Sequence, residues 1–150
     1  MTGNRDEIWD LIENLKAHQR PEFREHRLGW ALRLDDLLRH PGEVTFMTDT
    51  LQHLIDHVIP FENDRDVRGE LFNAVEHSWS KNLSVDLALD EVMRYAREDD
   101  APLTCNILLL IAKSGDRKYQ PFVERHLGHA NDFIRANAEY AWTHNYKDRD

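Results

Sequence analysis

The sequence predicts an all-α fold of about eight antiparallel helices in four pairs, within one domain over residues 1–150. Three observations carry this expectation. The stretch GDRKYQPFVERHLGHANDFIRANAEYAWTHNY, Gly115 to Tyr146, reads as a complete two-helix unit. The segment NDRDVRGELFNAVEHSW, Asn63 to Trp79, follows the same plan as ANDFIRANAEYAW: a cap, a β-branched apolar residue, an Arg, then small and apolar residues at helical steps. Neither helix of such a unit buries its stripe alone, so the pairs become stable by stacking on copies of themselves. Finally, 41% hydrophobic residues in 150 suffice for a core, and a chain of this length buries about two thirds of its unfolded surface.

Each element has its own signal. Helix one is expected over Arg5 to His18, with Asn4 as cap and Ile8, Leu11, Ile12 and Leu15 inward. Helix two, Pro21 to Arg39, turns Phe23, Trp30, Ala31, Leu34, Leu37 and Leu38 to one side and Leu28 and Leu32 to the other, so it should be covered twice. His40, Pro41 and Gly42 break the chain. Helix three, Glu43 to Ile59, buries Val44, Met47, Leu51, Leu54, Ile55 and Val58 until Pro60 ends it. Helix four, Asp64 to Trp79, buries Val67, Leu71, Ala74 and Val75. Helix five is expected from Ser84 to about Glu98, with Val85, Leu89, Val92, Met93 and Ala96 inward and Asp86, Asp90, Arg94 and Arg97 opposite. Helix six starts at Pro102, is apolar nearly all round through Ile107 to Ile111, and stops at Gly115. In the last unit, Tyr119, Phe122, Val123, His126 and Leu127 line one helix that Gly128 stops. Asn131 caps the other, which carries Ile134, Ala138, Ala141 and Trp142.

On these residues the chain resembles the HEAT-repeat family of α-solenoids. The resemblance rests on Asp64, Val67, Arg68, Leu71, Ala74 and Val75 in one copy, and on Asn131, Ile134, Arg135, Ala138 and Ala141 in another. A looser third copy lies in RPEFREHRLGWALRL, Arg20 to Leu34, with Phe23 and Arg24 in the places of the apolar residue and the Arg. The resemblance implies that turn aspartates and the arginines Arg24, Arg68 and Arg135 form a ladder holding repeats in register. It also implies a function: small acidic bacterial proteins of this type include immunity proteins that occlude a cognate, often basic, toxin domain.

Composition narrows the functional classes. The net charge of −9 repels a phosphate backbone, and no basic stripe overrides it, so no nucleic-acid partner is expected. A basic protein is attracted instead. No apolar run approaches the roughly 20 residues of a membrane span. The opening MTGNRDEIW lacks the features of a signal peptide and Cys105 is the one cysteine, so a cytoplasmic protein without disulfides is expected.

Candidate enzyme motifs have bland readings. His53 and His57 share a helix face at i and i+4 and could chelate a metal, but Leu54 stands where a zincin carries its Glu; they are read as surface histidines, with Phe46 and Thr50 on the same outer face. His126 and His129 straddle the Gly128 turn and suit capping. No phosphate-binding glycine loop or nucleophile elbow occurs. Cys105 opens the most apolar helix and is read as a buried, inert thiol. No cofactor or catalytic residue is therefore expected.

The expected function is a non-catalytic protein-binding module, an acidic inhibitor or immunity protein. Its contact residues would be Asp35, Asp36, Asp86, Asp90, Glu98, Asp99, Asp100, Tyr95 and Phe46. Trp9, Trp79 and Tyr140 are further candidate anchors. The acidic run Glu62, Asp64, Asp66 could join that surface. The alternatives are an enzyme or lyase-like accessory protein with a metal at His53 and His57, or a scaffold that dimerises.

Overall fold

The computed structural model describes residues 2–97 and 99–146. Among them every regular element is helical and no strand occurs. None of these helices is long and apolar enough to cross a membrane. The chain divides into two compact units, Met1–Glu91 and Val92–Asp150.

In the first unit, α1 (Thr2–Ala17) precedes a 3-10 turn, Pro21–Phe23, that leads into α2 (Arg24–Leu38). Then follow α3 (Val44–His53), a π turn (Leu54–Val58), a 3-10 turn (Ile59–Phe61) and α4 (Arg65–Lys81). Helix α2 packs against both α1 and α4. Ile12 and Leu15 of α1, Ala31, Leu34 and Leu38 of α2, and Val67, Leu71, Ala74 and Val75 of α4 are fully enclosed. Burying each of the larger side chains stabilises the fold by about 1.5–3 kcal/mol before entropy. Asp64 begins α4 as its N-cap, accepting from the Asp66 and Val67 N–H groups at 3.0 and 3.1 Å. Glu43 does the same for α3, accepting from Thr45 and Phe46. Those bonds, chiefly the one from Thr45, hold the Glu43 carboxyl below its ordinary value.

Several expectations change here. The helix expected over Glu43 to Ile59 is helical throughout but changes type, from α3 to a π turn and then to the 3-10 turn that holds Pro60. Helix α2 is covered twice, by α1 and by α4, but not on the side expected for Leu32, which remains 47% exposed while Arg27 and Asp35 are buried. Val44 is exposed rather than inward, and Thr50, expected on the outer face, is fully buried.

The largest correction is helix five. Residues 82–89 are not helical, and α5 spans only Asp90–Met93, across the division between the units. The reason is a period of two: Val85, Leu87 and Leu89 are buried while Ser84, Asp86 and Ala88 are exposed, which is the pattern of an extended segment. The segment finds its backbone partners elsewhere. The Trp79 indole N–H donates to the Val85 carbonyl at 2.9 Å, and the Gln52 amide both donates to and accepts from Ala88 at 2.8 Å. With helix five goes the expected face carrying Asp86 and Asp90 one helical turn apart.

In the second unit, α6 (Ala101–Ser114) is capped by Asp100, which accepts from Leu103 N–H, and ends at Gly115 in the left-handed conformation, φ 63°. After the 3-10 turn Arg117–Tyr119 come α7 (Gln120–His126), α8 (Asp132–Ala141) and a π turn, Trp142–Tyr146. Helix α8 packs on α6 and α7 through Ile134, Ala138 and Ala141. The Asn145 amide donates to the Ile111 and Ala112 carbonyls, so the end of α6 is satisfied by a side chain 33 residues on. The Tyr146 hydroxyl donates to the Asp116 carbonyl at 2.8 Å.

Candidate docking surface

The charge of the chain is not spread evenly. Residues 1–91 hold nineteen Asp and Glu against ten Lys and Arg, whereas residues 92–150 hold nine of each. The whole excess of nine negative charges therefore belongs to the first unit. Between Arg39 and Arg65 there is no Lys or Arg at all.

Part of that charge is consumed internally. Arg27 is enclosed with Glu62, their side chains 3% and 0% exposed, with Nε 3.1 and 3.2 Å from the two carboxylate oxygens. The same guanidinium donates to the His18 and Arg20 carbonyls at 2.9 and 2.8 Å. Arg24 pairs with Asp64 at 2.9 Å and with Asp66 and Glu25 at 2.5 Å, and Asp64, then Glu25, drive its pKa further up. For Asp64, burial alone would raise the pKa, but the Val67 N–H and Arg24 outweigh it and the carboxyl lies below its ordinary value. The run Glu62, Asp64, Asp66 thus clasps α2 to the start of α4. Asp35 is buried as well, between Arg39 at 2.8 Å and His77 at 2.9 Å.

Acids stay outward at Asp6, Asp10, Glu13, Glu22, Glu25, Asp36 and Glu43, and also along a ridge on α3 and the extended segment beside it. The Gln52 amide is its centre, bonded to Ala88 in both directions and to Asp56 at 3.0 Å. Asp49 lies one turn before Gln52 and is exposed, and Asp86 and Asp90 lie two residues to either side of Ala88, both exposed. One polar clamp thereby gathers Asp49, Asp56, Asp86 and Asp90. Asn82 pins the neighbouring end, accepting from Gly42 N–H at 2.8 Å and donating to the His40 and Ser78 carbonyls. Leu83 beside it is 86% exposed and Val44 47%, so apolar side chains flank the acids.

Of the residues proposed from sequence, Asp86 and Asp90 meet on this ridge, and Phe46, half-buried under the Arg5 guanidinium at 4.5 Å, lies on the same helix. Asp36 is exposed on α2. Tyr95, Asp99 and Asp100 belong to the second unit, where Asp100 is the α6 cap. Glu98 lies outside the described residues. Trp79, a candidate anchor, is buried with its N–H engaged, whereas Trp9 stands half-buried against His53 and Tyr140 is exposed, stacked on His144. Asp49 and Asp56 were missed because nothing local marks them; the alternation from Ser84 to Asp90 was the signal that could have placed them beside Asp86.

His53 and His57 have ring centres 5.0 Å apart, and Lys16 Nζ lies 3.2 Å from His53 Nε2. Burial first, then Lys16 and His57, push the His53 pKa down against the pull of Glu13 and Asp56. Among the described residues no group of three or more His, Cys, Asp or Glu could hold a metal. His126 bonds the Phe122 carbonyl in the last turn of α7, and His129 accepts from Asn131 N–H. Arg135 donates to the His129 carbonyl and pairs with Asp132, within its own turn. Cys105 is half-exposed rather than buried, bordering a groove of about 360 Å³ with Ala101, Pro102, Asn106, Phe133 and Asn137. Burial nonetheless raises its pKa, opposed by a hydrogen bond with Asn137.

No family model, curated protein or solved structure matches the chain.

Proposed function

We propose that this protein is a non-catalytic, HEAT-like helical module of the cytoplasm that captures a positively charged protein, most sharply an immunity protein occluding a basic toxin domain. The observation that carries the reading is the confinement of all nine excess negative charges to residues 1–91, with four aspartates gathered around the Gln52–Ala88 clamp. A field of one sign steers a basic partner to its surface, and exposed Leu83 and Val44 supply the apolar contact that holds it. For a nuclease toxin the carboxylates would stand in for substrate phosphates. The solenoid part of the proposal draws support from the packing of α2 on α4 and from the Arg24 to Asp64 ion pair, which joins the starts of two successive second helices as a ladder rung would.

The test is capture by immobilised wild-type protein and by an Asp49→Lys, Asp86→Lys, Asp90→Lys bait, each at 50 and 500 mM salt, with captured proteins identified by mass spectrometry. A basic protein held only by wild type, and released by salt, is the expected result. Equal capture by both baits, or capture indifferent to salt, defeats the reading.

A further inference from the structure

We propose that His53 and His57 form a chelating pair for a late first-row divalent cation such as Zn²⁺ or Ni²⁺, with Lys16 as a built-in competitor for the site. The spacing fits the chemistry. Two imidazoles bonded to one tetrahedral ion at about 2.0–2.1 Å place their ring centres roughly 5 Å apart, and these rings are 5.0 Å apart. The helix changes from α to π immediately after His53, and such turns gather at functional positions.

Three further features single out this pair. An ammonium can only donate, so its 3.2 Å contact requires the His53 Nε2 lone pair to point at Lys16; that lone pair already serves a cation. His57 and Lys16 line a cavity of about 210 Å³ with Gln19, Val58 and Phe61. The Gln19 amide nitrogen donates to the Leu15 carbonyl at 2.5 Å, which leaves its buried Oε1 with no hydrogen-bond partner. Gln19 lines the same cavity as His57, and two imidazole nitrogens with solvent oxygens completing the shell suit zinc or nickel.

Carboxylates stand near the pair: Asp56 directly precedes His57, and no Lys or Arg occurs between Arg39 and Arg65. Lys16, the nearby positive side chain, sits 3.7 Å from Glu13 and can withdraw to it when an ion enters. Trp9, its ring 4.9 Å from His53, shields one face of the imidazole from water.

Titration calorimetry with ZnCl₂ and NiCl₂ at pH 7.5 tests this. Wild type should bind one equivalent. His57→Ala, at an exposed position where the fold tolerates truncation, should weaken binding by about tenfold or more. Lys16→Met should tighten it severalfold, and His129→Ala in the second unit should leave it unchanged. Absence of saturable binding, unchanged affinity in His57→Ala, or weaker binding in Lys16→Met overturns the proposal.

Discussion

The two units of this chain use the same kind of element for opposite electrostatic ends. Residues 92–150 balance nine acids with nine bases and, beside the Asp100 cap and the Arg135–Asp132 pair, stabilise their helices with neutral devices: the Asn145 amide at the end of α6, Gly115 in its turn, and the Tyr146 hydroxyl on Asp116. Residues 1–91 carry the whole charge excess and still place four ionisable side chains, Arg27, Asp35, Glu62 and Arg68, in buried positions. Solvated carboxylates cost little, but buried ones need a partner. The first unit therefore separates its acids into two populations, one neutralised inside and one left outward.

The largest effect should come from breaking the inner population. Arg27→Met leaves Glu62 enclosed without its counter-charge, and removal of one partner of such a pair costs about 3–5 kcal/mol. Denaturant unfolding should show that loss, and hydrogen exchange should place it in residues 1–91. Equal loss of protection in 92–150 would mean that the two units open together, and the contrast between them would be one of charge alone.

Next in size is the outer population. Reversing Asp49, Asp86 and Asp90 to Lys should slow association with the captured partner by about ten- to a hundredfold at low salt. Reversing Asp99, Glu124 and Glu139 of the second unit should slow it less than about threefold. Stopped-flow association rates as a function of salt measure both; comparable slowing by the two triples would erase the distinction between the units.

How much of this was legible follows from what is local. Caps and stops were readable because each acts within four residues: Asp64, Asn131 and Gly115 all mark helix ends as their types predict. Apolar stripes placed Leu34, Leu71 and Ile134 in the core for the same reason. The failures are non-local. Val85, Leu89 and Val92 satisfy a helical stripe while Val85, Leu87 and Leu89 satisfy a period of two, so the sequence carries both patterns and contact with Gln52, 36 residues away, adds its weight to the extended one. The Arg27 to Glu62 pair spans 35 residues, so Glu62 looked like surface charge. The aspartates of the ridge were likewise separate entities until Gln52 and Ala88 brought them together.

A smaller effect is expected from acid. The Asp64 carboxyl lies below its ordinary value when folded, so the unfolded chain takes up its proton first as pH falls. The stability it supplies is present above an ordinary aspartate pKa, about 4, and is lost as pH drops through the lower folded value. Asp64→Asn should flatten that acid limb for residues 1–91, as read by unfolding midpoints between pH 5 and 2. A limb of unchanged steepness would assign the acid sensitivity to other carboxyls.

The smallest expected effect contrasts one titrating group from each unit. Burial, opposed only by the Asn137 hydrogen bond, raises the Cys105 pKa, and neither influence is a net charge. His53 instead feels Lys16, His57, Glu13 and Asp56 as well as burial. Salt screens charges and leaves burial untouched. The midpoint of the pH–rate profile for Cys105 alkylation should therefore lie above that of an ordinary thiol and move by less than about 0.2 between 50 and 500 mM KCl. Asn137→Leu, which keeps the thiol covered while removing the bond that favours the thiolate, should raise that midpoint further. The His53 midpoint, followed by the ring proton resonances, should shift with salt over the same range. A Cys105 midpoint that moved as much as that of His53 would show that charge reaches the α6–α8 groove after all.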